Sequence, residues 1–385
     1  MTSYLGQKSI LDSAIKVLSK YYLCDRCLGR LFARLSMGWT NKERGEIIKK
    51  ALVMELHRQY LEGKVDAELF KLLLSRLSPY SNPLMHELGI YNIETDSCYI
   101  CNNEIENIIF RLIKDGVEIL KEEGLSKFII GVKSEGQFSI REEEVNKYAE
   151  TQYSESIRNE LKREIGKGIA KEGFYPEFEV PEVSLILDLS QLKFSISHNM
   201  AHLLTNVKKK KRGITLSEWA ARNRQSIEGR LKEILKEHFV KYYCPITELP
   251  EQRVIFNKPM IIVLKSHKDL GLITDRLKGE GEDIEFKVIK EVSPTVSKRF
   301  STPSLVKGSL YKMYIKCSGL KEVKELFKPF YFNCSEIMNS IWNCIIELPP
   351  SIRFNNIVEN LTKRGIEILA SDLLLIYLER EGEMI

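Results

Sequence analysis

LCDRCLGR, residues 23–30, decides how the first third of this chain folds. Its two cysteines, Cys24 and Cys27, stand two residues apart, the spacing that lets both thiolates of one turn converge on a single metal ion. SCYICNNE, residues 97–104, repeats the spacing with Cys98 and Cys101. Two such pairs complete the tetrahedral shell that zinc prefers, and a shell closed by four thiolates leaves no position for an activated water. The pattern predicts one structural zinc held by Cys24, Cys27, Cys98 and Cys101. Unrelated buried thiols are the alternative, because the pairs are further apart than in a compact zinc ribbon. Around the pairs the sequence is helical. Ile10, Leu11, Ala14, Ile15 and Leu18 line one face of a helix between Gln7 and Tyr22, and similar patterns cover 40–60, 67–77 and 104–123, with Thr40 or Asn41 as an N-cap. Residues 1–125 therefore read as a helical zinc-binding unit.

From Lys127 the character changes. KFIIGVKSEG (127–136) is strand-like, residues 154–170 are helical, and VSLILDL (183–189) and KFSIS (193–197) are two further β-rich runs. This order predicts an α+β domain over 126–215, closing in KKKKRG at 208–213. A helix over 226–240 and the runs RVIF, PMIIVLK, EFKVIKEV, LYKMYIKC and CIIEL predict a second, mixed-sheet domain over 216–385. Its end, RFNNIVENLTKRGIEILASDLLLIYLERE, reads as a helical C-terminal tail. The fold class is α+β throughout.

Three hundred and eighty-five residues exceed what one hydrophobic core organises, and 43% hydrophobic with 29% charged residues exclude a disordered chain. The net charge of +5 is too small to indicate nucleic acid by itself. Its distribution is more telling. Lys208, Lys209, Lys210, Lys211 and Arg212 are consecutive, enough to attract a phosphate backbone, with a solvated linker as the alternative. Lys298 and Arg299 form a weaker basic patch. No apolar run reaches membrane-spanning length and the start, MTSYLGQKSILDSAIK, lacks a signal core, which predicts a cytoplasmic protein without a membrane partner. Eight cysteines then read as thiols or metal ligands, and Cys244, Cys317, Cys334 and Cys344 as small buried hydrophobes. His198 and His202 share helical spacing but lack the glutamate of a metalloprotease motif. There is no P-loop, and GEGED (279–283) is no dinucleotide fingerprint, so ATP- and NAD-dependent chemistry loses support.

The chain resembles the tRNA pseudouridine synthases of archaea and eukaryotes that carry an N-terminal zinc-containing THUMP module. LCDRCLGRLFARL followed by TNKERGEIIKKAL is similar to that family's opening, CYICNNE to its second cysteine pair, and FIIGVK, the helix over 154–170 and KKKKRGI to its THUMP domain, whose closing Arg-Gly-Ile is matched by Arg212, Gly213 and Ile214. VSPTVSKRFSTPSLVKGSLYKMYI (292–315) is similar to a segment leading into a core strand, and CSEIMNS (334–340) to a later helix start. The resemblance implies a THUMP-like RNA-binding domain, a pseudouridine-synthase-like domain, tRNA as partner, and isomerisation of a TΨC-loop uridine without an organic cofactor.

The reacting half departs from that pattern. Aligning Arg253 and Pro259 in ELPEQRVIFNKPMIIVL (248–264) puts Glu251 where the family has its aspartate, with the loop shorter and its glycines gone. Only 35 positions separate Pro259 from Pro294, where the family carries a tyrosine-bearing segment, and FKPFYFNCSE (327–336) lacks the family's arginine. Two readings follow: a working synthase using Glu251, with Glu248 or Asp283 as substitutes, and a catalytically degenerate relative that binds tRNA as a chaperone or as a partner of another modifying enzyme.

Overall fold

The computed structural model describes residues 9–91, 96–133, 136–222, 224–278, 281–302, 305–328 and 330–378. They fall into two compact units, one running to Pro176 and including Ser184–Ser197, the other comprising Glu177–Val183 and the chain from His198 onward.

In the first unit, α1 (Ile10–Lys20) starts on a reciprocal bond pair between Ser9 and Asp12, which satisfies amide donors that a helix start leaves open. Residues 7 and 8 of the expected helix lie outside the described residues. Next come α2 (Asp25–Arg30) and α3 (Asn41–Leu61), the latter with the same box from Thr40 and Glu43. These two helices touch backbone to backbone. A Cβ on Gly29 would strike the Asn41 carbonyl and one on Gly45 the Asp25 carbonyl, so the Leu-Gly-Arg and Arg-Gly motifs need glycine for close approach. After them come α4 (Ala67–Arg76), α5 (Asn82–Glu87) and α6 (Ile105–Glu123). A four-stranded sheet completes the unit in the order β2 (Tyr175–Pro176), β1 (Lys127–Lys133), β3 (Val183–Asp188), β4 (Lys193–His198), with α7 (Gln137–Ala149) and α8 (Ile157–Lys171) between β1 and β2 in the chain. Ile157, Leu161, Ile165 and Ile169 form the buried stripe of α8, and Val183, Leu185 and Leu187 the buried face of β3.

The second unit is built on β5 (Ala201–Lys209), β6 (Phe239–Tyr243), β7 (Gln252–Leu264), β8 (Ile284–Glu291), β9 (Val306–Lys316), β10 (Phe332–Met338), β11 (Ile341–Leu348) and β12 (Glu367–Leu378). They order as β10-β11-β9-β12-β7-β5-β8, with β6 also pairing β7. Helices α9 (Ile227–Leu235), α10 (Leu270–Leu277), α11 (Pro294–Arg299), α12 (Leu320–Phe327) and α13 (Phe354–Lys363) connect them. The sheet is mixed, β12 running parallel to β7 and antiparallel to β9. The α+β expectation holds.

Four expectations are corrected. The C-terminal tail is helical only over α13; Gly365, at φ 72°, ends that helix, and Glu367–Leu378 becomes a central strand. AHLLTNVKK, expected within the 126–215 domain, is β5 of the eight-stranded sheet. Consecutive leucines in each, Leu203–Leu204 and Leu373–Leu375, erase the alternation that marks a strand. CSEIMNS lies largely in β10 and starts no helix. Cys334 and Cys344 stand directly opposite on β10 and β11 with Cα atoms 4.2 Å apart and form a disulfide instead of filling space as free thiols. Among the described residues no helix is long and apolar enough to cross a membrane.

Candidate metal centre and carboxylate–arginine cluster

Cys24 is the N-cap of α2 and Cys27 lies in its first turn. Cys98 and Cys101 sit on a turn closed by the Asn102 amide donating to the Cys98 carbonyl at 2.7 Å. Asn102 and Asn103 follow in the left-handed region, which asparagine tolerates better than most residues. The Tyr99 amide donates to the Tyr22 carbonyl at 2.8 Å and so ties one cysteine turn to the other. All four sulfurs thereby lie within 4.8 Å of one another, Cys24 and Cys101 at 3.6 Å. That matches the edge, about 3.8 Å, of a tetrahedron of metal–sulfur bonds near 2.3 Å. Hydrogen bonds among the thiols pull Cys98 and Cys101 down and push Cys24 and Cys27 up in pKa. Four sulfurs this close ionise together only around a cation, so the donor set fits a soft, tetrahedral metal ion.

The centre is wired into the unit by charge. Arg30 donates to Cys27 Sγ at 3.5 Å, to Glu142 at 2.7 Å and to Glu160 at 2.7 Å, while Arg26 bridges Glu160 and Glu106. Glu142 also accepts the Ile157 amide at the start of α8. The sequence reading missed this network, since the glutamates are 80 to 134 residues from their arginines.

The basic run is divided by its strand. Lys209 points inward, fully buried, and its Nζ donates to the carbonyls of Ile214 (2.9 Å), Leu249 (2.9 Å) and Pro250 (3.2 Å); burial pulls its pKa down to about 8. Lys210 pairs with Glu285 and Lys211 with Asp283, and both lysines stay exposed. Lys208 makes no ion pair among the described residues. Arg212 reaches across to Asp372 at 2.6 Å and to the carbonyls of Glu251 and Ser371. Gly213 then turns at φ 82° and Ile214 is buried, which is the physical content of the Arg-Gly-Ile motif. Lys298 and Arg299 lie exposed in the last turn of α11, whose buried Ser297 bonds His202 Nδ1 at 2.7 Å. His198 ends β4 while His202 is in β5, so the two share no helix face.

Glu251 precedes β7 with its side chain 64% exposed, and it accepts a bond from Arg224 at 3.0 Å. Two residues on, Arg253 makes a two-pronged pair with Asp372 (3.1 and 2.8 Å), its register partner on β12. Burial pushes Asp372 up, but the bond from Arg253 and the charge of Arg212 outweigh it and hold the carboxyl below its usual range. Arg212, Arg224 and Arg253 thus converge on two carboxylates at one end of the sheet. Asp372 escaped the sequence reading because nothing local marks it; two arginines without a partner were the available signal. Glu248 is buried against Lys258 in an ion pair that leaves neither group open to solvent, beside a cleft of about 450 Å³ lined by Tyr311, Arg353 and Phe354. Asp283 is taken by Lys211. Of the three acids weighed from sequence, Glu251 is the solvent-open one.

Residues 113–188 match the family model described as the Pus10 THUMP domain, archaeal. The match ends where β3 ends. The tRNA pseudouridine synthase Pus10 of Aeropyrum pernix is 30% identical over 345 residues, covering 82% of this chain and 78% of that protein. The protein of the same name from Ignisphaera aggregans is 30% identical, with 83% and 78% covered, and that from Thermofilum pendens 25% identical, with 97% and 87% covered. Among solved structures, the archaeal box H/ACA sRNP Nop10-Cbf5 complex superposes with a TM-score of 0.27 at 11% identity over 44% of this chain and 46% of that one, too slight a likeness to bear on the fold.

Proposed function

This chain belongs to the tRNA pseudouridine synthase Pus10 family, and from that premise we propose that it binds tRNA and converts a TΨC-loop uridine to pseudouridine, with Glu251 as the reacting carboxylate. The reaction is an isomerisation. The N1–C1′ bond breaks, uracil turns, a C5–C1′ bond forms, and the hydrogen on C5 is exchanged for one on N1, so no organic cofactor is consumed. A carboxylate acting as nucleophile divides this into two easier steps. One observation carries the reading: Glu251 is the open carboxylate of a cluster whose guanidinium groups, Arg212, Arg224 and Arg253, keep negative charge in place and suit the phosphates around a flipped base.

Lys208, Lys210, Lys211, Arg212, Lys298 and Arg299 supply the phosphate contacts, and Lys209 supports them from inside. Zinc is the metal we assign to Cys24, Cys27, Cys98 and Cys101. It supplies no step of the reaction and holds the first unit together.

Binding without turnover is the second reading, favoured by the engagement of Glu251 with Arg224 and by its extra methylene relative to aspartate. The deciding experiment maps pseudouridine in tRNA incubated with wild-type and Glu251→Gln protein, alongside tRNA affinity. Conversion by the wild type alone, at equal affinity, is expected. Conversion that survives Glu251→Gln would move the role to another acid, and tRNA binding with no product from either protein would establish the second reading.

A further inference from the structure

Trp219 is 93% exposed, whereas Trp39 is 49% exposed and Trp342 half-buried. The segment that presents it is firmly built. Thr215 and Gln225 close its base by a 3.0 Å backbone bond, the Glu218 amide donates to Glu228 at 3.0 Å, and Lys232 bridges Glu218 and Glu228. Two successive turns follow, Ala221 to the Glu218 carbonyl (3.0 Å) and Arg224 to the Ala221 carbonyl (2.8 Å), with Leu216 and Ala221 buried as anchors. A large apolar ring is therefore held in water by a structured loop.

The charges carried by the same loop point to its partner. Arg222 is exposed and forms no ion pair among the described residues, and Arg224 leads to Glu251. The nearest acid in sequence, Glu218, is already engaged by Lys232. An exposed π face and an uncompensated guanidinium three residues apart on one loop are the complement of a nucleotide, whose base stacks and whose phosphate carries the opposite charge. We propose that Trp219 and Arg222 form a stacking platform for one unpaired base of bound RNA, presented on the loop whose Arg224 holds the reacting carboxylate. This inference rests on the tRNA-binding reading above.

The test compares tRNA affinity of wild-type protein, Trp219→Ala, Trp219→Phe and Arg222→Ala across a series of KCl concentrations, with thermal melting of each. Loss of one base–aromatic stack should weaken binding by Trp219→Ala by about 5- to 150-fold at every salt concentration, at an unchanged log–log salt slope because no counterion is involved. Trp219→Phe should keep most of the affinity. Arg222→Ala should reduce the slope by about one unit. Wild-type affinity in Trp219→Ala, a loss accompanied by a shallower slope, or a lowered melting midpoint would each overturn the platform. Failure of wild-type protein to bind tRNA would instead remove the underlying reading, and is visible before any variant is made.

Discussion

Lys209 shows how far residue type alone can mislead. It is the second of five consecutive cations, yet it is the one that never meets solvent, and its ammonium closes the Ile214 carbonyl together with those of Leu249 and Pro250 in the turn that leads into β7. Lys209→Met leaves those carbonyls buried without a donor and is expected to cost about 3 kcal/mol in urea unfolding, against roughly 0.5 kcal/mol or less for Lys208→Ala. The pH dependence has a definite sign. The native pKa is about 8 and the unfolded value about 10.4, so between them the unfolded chain binds more protons and stability rises with pH. That contribution is complete above the unfolded value and lost as pH falls through the native one. Unfolding measured from pH 7 to 10 should show the rise in the wild type and lack it in Lys209→Met; equal profiles would mean that Lys209 is solvated.

At the scale of elements, the chain reads well wherever one face of an element is wet. Helices α4 and α6 begin and end within a residue of their apolar stripes, and their polar faces supply the contrast that reveals the period. The four cysteines were legible for a similar reason, because each pair is local. β5 and β12 were not. DLLLIYL is apolar at every position after its aspartate, exposed Leu375 and Tyr377 included, so it has no alternation to read and resembles a buried helix. Asp372, on β12, and the Cys334–Cys344 pair depend on strand register, which exists only after the sheet has formed. The placement of β12 has a direct consequence. Leu373, fully buried beside Tyr311 and Val254 in register, belongs to the core, and Leu373→Ala should destabilise by about 2–5 kcal/mol. The neighbouring exposed Leu375→Ala provides the contrast, with an expected change near zero. Chemical unfolding that ranks the two variants the other way would return this segment to a helical tail.

For the molecule as a whole, the decisive fact is that the four clustered cysteines and the candidate reacting carboxylate belong to different compact units. The first unit joins the four cysteines through Arg30 to Glu142 and Glu160, so that α2, α7 and α8 share one ionic network with the cysteine cluster. The second has its own cores around β9, β12 and β7. Structural metal contributes folding free energy directly where a preformed site is absent from the unfolded chain. Chelation should therefore expose the amides of α2, α6 and α8 to hydrogen exchange while those of β5, β7 and β12 stay protected, and calorimetry should show one transition moving to lower temperature and another staying in place. Wild-type protein should carry one zinc per chain, and a Cys24→Ala, Cys98→Ala variant none. Zinc in the variant would remove the assignment of ligands. Loss of protection in both units at once would show that the metal stabilises a single cooperative fold, and that the Arg30 network reaches further than Glu142 and Glu160; retention in both would make the four thiols a packed cluster with no part in folding.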